Sequence, residues 1–102
     1  EEPIAVLGVL SNAYADLYRA RIARDAGAPV QALTEAFRSY KGKEFRVRNA
    51  MRDAARLSVP ALRDMLQTLA AADTALKTGR GDGRTVLEET VARLLMRARQ
   101  RA

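Results

Sequence analysis

The sequence predicts an all-α domain, a bundle of about five helices, and three observations carry that prediction. Of its 102 residues, 20 are Ala and 12 are Leu, two of the strongest helix formers. Apolar residues recur at spacings of three and four, which line one face of a helix, and nowhere alternate long enough to build a sheet. Gly, Pro and Ser fall between the periodic stretches, where helices start and stop. No repeat or linker divides the chain, so 1–102 reads as a single helical domain.

The first helix is carried by Leu7, Leu10, Tyr14, Leu17 and Ile22, with Val6 and Tyr18 beside them and Pro3 in its first turn. Asp25-Ala26-Gly27 closes it, because Gly takes the left-handed conformation that ends helices. Pro29 opens a short second helix over 29–37 whose inner side is Val30, Leu33 and Phe37. The pattern then lapses, and Lys41-Gly42-Lys43 marks a turn before a third helix over 44–57 with Val47, Ala50, Met51 and Ala54 inward. Ser58 followed by Pro60 reads as a helix start, a capping hydroxyl and a proline whose missing N–H goes unmissed. That fourth helix carries Leu62, Met65, Leu66, Leu69 and Leu76 and stops at Gly79. Residues 80–84 carry nothing that would pack and read as a connector. The fifth helix presents Val86 or Leu87, Val91, Leu94, Leu95 and Ala98 on one side, with Arg93, Arg97, Arg99 and Arg101 toward its end.

Missing residue types narrow the chemistry. The chain has no His and no Cys, which removes thiol nucleophiles, disulfides, zinc fingers and the imidazole base of a Ser-His-Asp relay. A domain of this length builds one core and leaves little room for an enclosed substrate cavity, so function is expected on the surface. No apolar run approaches the ~20 residues that span a bilayer. The chain opens on Glu1-Glu2-Pro3, without a signal peptide and without an initiator Met, so a piece of a longer protein is expected.

The formal charge is +6, from 18 Lys plus Arg against 12 Asp plus Glu, and 15 of the basic residues are Arg. Arg48, Arg52 and Arg56 recur every four positions, as do Arg93 and Arg97, and helical lines of Arg bind phosphate. The same lines serve equally as a solvated face, since Asp53, Asp64, Glu88 and Glu89 interrupt them and aromatic residues are not interleaved. Arg52, Arg56, Arg93 and Arg97 are the candidate phosphate contacts. No helix-turn-helix stands out: the third helix begins Glu44-Phe45-Arg46, not with polar base readers. The run Lys77-Thr78-Gly79-Arg80-Gly81-Asp82-Gly83-Arg84-Thr85 fails as a phosphate loop. Gly79 and Gly83 enclose three residues instead of four, Arg84 stands where Lys is needed, and a helix precedes it. The tripeptide Arg80-Gly81-Asp82 matches an adhesion motif, but composition accounts for it. Asp73 sits at helical spacing from Leu66, Leu69 and Leu76, which places a carboxylate beside the apolar stripe, where it needs a partner. Lys77, one turn on, supplies an ion pair at the core edge; a polar contact with another subunit is the other reading.

Read together, four stretches produce a resemblance. They are Pro3-Ile4-Ala5-Val6-Leu7-Gly8-Val9-Leu10, Lys43-Glu44-Phe45-Arg46-Val47-Arg48, Asp73-Thr74-Ala75-Leu76-Lys77-Thr78-Gly79-Arg80-Gly81-Asp82, and Leu87-Glu88. In order and spacing the chain resembles the C-terminal domain of the delta subunit of bacterial DNA polymerase III, closest to the form of Gram-positive bacteria. In that form a proline–aromatic–basic–Val–basic stretch opens one helix and an Asp-x-x-x-Lys-Thr-Gly segment closes the next; here Glu44 takes the proline's place.

The resemblance implies a non-catalytic scaffold. In the family, two N-terminal AAA+-type domains precede this one and carry the contact with the sliding clamp. The C-terminal domains of the five clamp-loader subunits form a collar that holds the assembly together. Expected partners are therefore the gamma/tau and delta-prime type subunits, with DNA met in the full complex and neither a membrane nor a small-molecule substrate. Delta does not hydrolyse ATP, so no cofactor, metal or catalytic residue is expected, although the parent polymerase is a nucleotidyltransferase. The expected location is the cytoplasm, at the nucleoid-associated replisome. Asp73, Lys77, Phe45, Arg46 and Arg48, in the matched stretches, are the candidate subunit-interface residues. The alternative is a small basic helical module that binds nucleic acid through its Arg lines.

Overall fold

The computed structural model describes residues 2–100. Its elements are α1 (Glu2–Asp25), α2 (Val30–Ala36), a 3₁₀ turn at Arg38–Tyr40, α3 (Glu44–Ala54), α4 (Val59–Lys77) and α5 (Gly83–Arg99), with no strand among the described residues. The five-helix all-α prediction holds. Arg101 lies outside the described residues.

α1 is the spine. Its 24 residues make a rod of ~36 Å, close to the longest dimension of the molecule, 42 Å. One half packs with α4 and α5. Leu7, Leu62, Met65, Leu69, Ala72 and Leu94 form that core, with Leu10, Tyr14 and Val86 packed against it. α4 runs antiparallel to α1: Tyr18 meets Arg63 at one end, and Pro3 approaches Leu76 and Gly83 at the other. The second half of α1 carries a smaller core of Ala20, Ala23, Leu33, Tyr40, Val47, Ala50 and Ala54. Leu17 borders both cores. Because Ala20 and Ala54 are fully buried, α1 and α3 approach closely without a methylene between them.

Helix ends follow from their residues. After α1, Gly27 (φ 71°) turns left-handed while Ala28 N–H donates to the Ala23 carbonyl at 2.8 Å. Gly79 (φ 72°) does the same after α4, with Arg80 N–H on the Ala75 carbonyl at 2.9 Å. Ser58 Oγ accepts from Ala61 N–H at 3.1 Å, as its position predicted.

Four expectations need correction. α3 ends at Ala54, not 57: the chain tightens there, with Arg56 N–H on the Asp53 carbonyl at 3.3 Å and Leu57 N–H on the Ala54 carbonyl at 3.1 Å, and the Arg21 guanidinium donates to the Ala54 and Leu57 carbonyls from outside. The connector is shorter than 80–84: Asp82 Oδ2 accepts from Thr85 N–H at 3.2 Å and caps α5, so Gly83 and Arg84 are helical. The stretch after α2 is not featureless, since the 3₁₀ turn drives Tyr40 into the core. Ile22 faces outward, at 43% exposure, and Ala20 and Ala23 take the inward positions.

Candidate interaction surface

The main clefts are open grooves on the surface. One, about 640 Å³, lies between α4 and α5 and is lined by Asp64, Thr68, Ala71, Glu89, Thr90 and Arg93 among others. Another, about 370 Å³, lies between α1 and α4, where Gly8, Ser11 and Asn12 face Leu66, Ala70 and Asp73.

α5 departs most from its sequence pattern. Two parallel lines of residues run along it at the same spacing. The line Val86, Thr90, Leu94, Arg97 turns inward; Thr90 and Leu94 are buried, and the Thr90 hydroxyl is satisfied by the Val86 carbonyl at 2.7 Å. The neighbouring line starts at half-buried Leu87 and continues through Val91, Leu95 and Ala98, which are left toward solvent, with Leu95 62% exposed and the adjacent Met96 65%. Val91, Leu95 and Ala98, expected on one side of the helix with Leu94, are therefore exposed while Leu94 is buried. At the start of this line, Leu87 borders one groove with Pro3 and Val6 of α1. A lone exposed apolar residue is ordinary, whereas here several lie along one helix whose other side is already buried.

The subunit-interface candidates fall on two sides of the bundle. Asp73 and Lys77 form an ion pair of 3.0 Å on the outer side of α4, with side chains 42% and 64% exposed. Asp73 lines the α1/α4 groove, so the carboxylate sits at the edge of the core with its cation one turn away. Phe45 stands 62% exposed at the start of α3, and Arg48 is exposed one turn on. Arg46 is occupied internally: it meets Asp16 at 2.7 Å and lies 5.4 Å from the Tyr40 ring centroid.

The phosphate candidates do not form one field, since α3 and α5 make no contact among the described residues. Arg52 is exposed beside Asp53, 3.2 Å away. Arg56 lies beyond the end of α3, which breaks the line begun by Arg48 and Arg52. Arg93 is exposed on α5. Arg97 is largely covered and meets Asp64 of α4 at 2.8 Å, so it fastens α5 to α4.

Sequence reasoning missed a polar cluster that joins α1 to the small core. The Tyr40 hydroxyl, in a residue 2% exposed, donates to Asp16 and accepts from Arg19 at 3.2 Å. Burial first, and then the hydrogen bond to Asp16, raise the Tyr40 pKa above its ordinary value of 10.0, partly offset by Arg19. No buried side-chain polar atom is left without a partner among the described residues, as a settled fold requires. Spacing could not have found this cluster, because its members lie 21 to 24 residues apart on elements of different period.

No curated protein and no solved structure matches the chain. The profile of the family described as DNA polymerase III delta subunit, C-terminal domain, matches residues 1–94. The chain thus belongs to the family of C-terminal domains of the DNA polymerase III delta subunit, a component of the clamp loader rather than a catalytic domain.

Proposed function

We propose that this domain is a non-catalytic assembly module, the delta subunit's contribution to the collar of a clamp loader, closest to the Gram-positive form. In the full subunit two AAA+-type domains precede it and meet the sliding clamp. The domain itself holds delta to gamma/tau and delta-prime type subunits at the cytoplasmic replisome. The observation that carries this reading is the solvent-facing line on α5, where Val91, Leu95 and Met96 lie open although the helix already has a buried side. Exposed Phe45 adds an aromatic anchor of the kind that interfaces favour. Arg48 and the Asp73–Lys77 pair supply polar contacts at the rim, where charge fixes register more than it adds affinity. Arg46 acts through Asp16 and Tyr40 by holding α3 in place.

The test is to mix the other loader subunits with delta carrying or lacking this domain and to measure the mass of the assembly in solution. The pentamer is expected only when the domain is present; a pentamer that forms without it refutes the assembly role.

A second reading has its own support. Arg48, Arg56 and Arg93 are exposed and have no carboxylate within ion-pair distance among the described residues, as phosphate contacts require. If they bind DNA, affinity for primed or single-stranded DNA falls steeply with salt and drops when they are replaced. Absence of binding at physiological salt removes this reading for the domain alone.

A further inference from the structure

Four arginines are partly buried among the described residues, and one of them differs from the rest. Arg21 meets Asp25 at 3.0 Å, Arg46 meets Asp16 at 2.7 Å and Arg97 meets Asp64 at 2.8 Å. Arg19 has no carboxylate within ion-pair distance among the described residues. Its guanidinium lies 4.2 Å above the Phe37 ring centroid and donates one hydrogen bond to the Tyr40 hydroxyl. A guanidinium has five N–H donors in a planar fork that suits a carboxylate. The fold holds Arg19 in place and leaves most of that fork unused by its own acids.

Beside Arg19 runs a groove between α1 and α2. Its walls include Ile22, Ala23, Ala28, Ala32, Leu33 and Phe37, its volume is about 310 Å³, and almost all of its lining is apolar. The alanines create the space, and Ile22 stands at its edge, 43% exposed. No carboxylate lines it, and Arg19 is its charged residue. The volume lies at the bottom of the range for ligand pockets, enough for one bulky side chain and too little for a nucleotide or cofactor.

We propose that this groove docks an acidic segment of a partner polypeptide, which inserts one bulky apolar side chain between α1 and α2 and sets a neighbouring carboxylate on Arg19. Charge complementarity selects this occupant. The protein carries +6, the groove lacks acids, and its cation is already desolvated on one face by Phe37, which strengthens an ion pair formed there. A nucleic-acid strand matches the charge but places phosphates against an apolar wall. The site requires only α1, α2 and the turn after them, so it stands or falls separately from the collar reading.

The experiment titrates the 102-residue chain into a short fluorescein-labelled peptide of Asp and Glu with one central Phe, read by anisotropy. Saturable binding is expected, and it weakens at least about tenfold (~1.4 kcal/mol) when the peptide's Phe becomes Ser. Ile22→Glu, at an exposed position that the fold does not need, and Arg19→Gln weaken it to a similar degree. Should Arg19→Gln unfold the chain by circular dichroism, Ile22→Glu decides alone. Absence of saturable binding overturns the proposal, as does affinity that survives loss of the Phe, which means charge alone. Self-association of the wild-type chain that Ile22→Glu abolishes also overturns it, since a second copy is then the occupant.

Discussion

Replacing Tyr40 with Phe removes one oxygen from the centre of the cluster that ties α3 and the 3₁₀ turn to α1. The ring stays in the core, so no cavity forms. What is lost is the hydrogen bond to the Asp16 carboxylate and the acceptor for Arg19. A hydrogen bond to a charged group contributes about 1.5–3 kcal/mol, but Asp16 keeps its ion pair with Arg46 and is not left unpartnered. The expected loss is therefore about 1–2 kcal/mol, which lowers Tm by about 5–10 °C in a domain this small. The sign of the pH dependence follows from the raised Tyr40 pKa. The folded state holds the phenol proton more tightly than the unfolded chain, whose value is 10.0. That stabilisation is whole below the unfolded value and is lost as pH rises through the folded one. The gap between wild type and Tyr40→Phe should thus be widest near neutrality and narrow above pH ~10. Circular dichroism melts from neutral to alkaline pH read both. Equal Tm values at neutral pH, or a gap that stays constant into the alkaline range, would show that the Tyr40 hydroxyl does not stabilise the fold in this way.

Three further substitutions separate the contributions. Leu62→Ala, at a position 0% exposed in the larger core, should cost about 2–5 kcal/mol by urea denaturation, because the three helices around it cannot collapse fully into the space. Asp82→Ala removes the side chain that caps α5 and should cost about 1 kcal/mol, whereas Asp82→Asn should restore most of it. Arg97→Gln should lower stability by up to about 1 kcal/mol by releasing α5 from Asp64, and leave any salt-dependent DNA affinity unchanged, in contrast to Arg48→Gln.

Much of the fold was legible in the sequence because its helices are long and its punctuation strong. Gly27, Ser58 with Pro60, and Gly79 stand where a left-handed residue or a cap is needed, and each boundary they mark is observed. Tyr40 was not legible: a 3₁₀ turn is too short to show a period, and its burial depends on Asp16 and Arg19 from a distant part of α1. α5 was half legible. Its two lines have the same spacing, so periodicity could not say which would face α4, and the line containing Thr90, although the more polar, took the inward place. Arg97 looked like a member of a basic line until tertiary packing brought Asp64, 33 residues away, to its guanidinium. The interface candidates on α4 were legible as a pair, since Asp73 and Lys77 lie one turn apart and do meet.

In the proposed assembly role, the solvent-facing line of α5 joins this domain to neighbouring subunits. Its most direct test is the double substitution Leu95→Glu with Met96→Glu in the full delta subunit, with association to the other loader subunits measured by sedimentation equilibrium. Both side chains are more than half exposed, so the stability of the domain should stay within about 1 kcal/mol of wild type. Association should fall at least about tenfold, since two charges would be desolvated in the contact. Unchanged association with an intact fold excludes α5 as the contact.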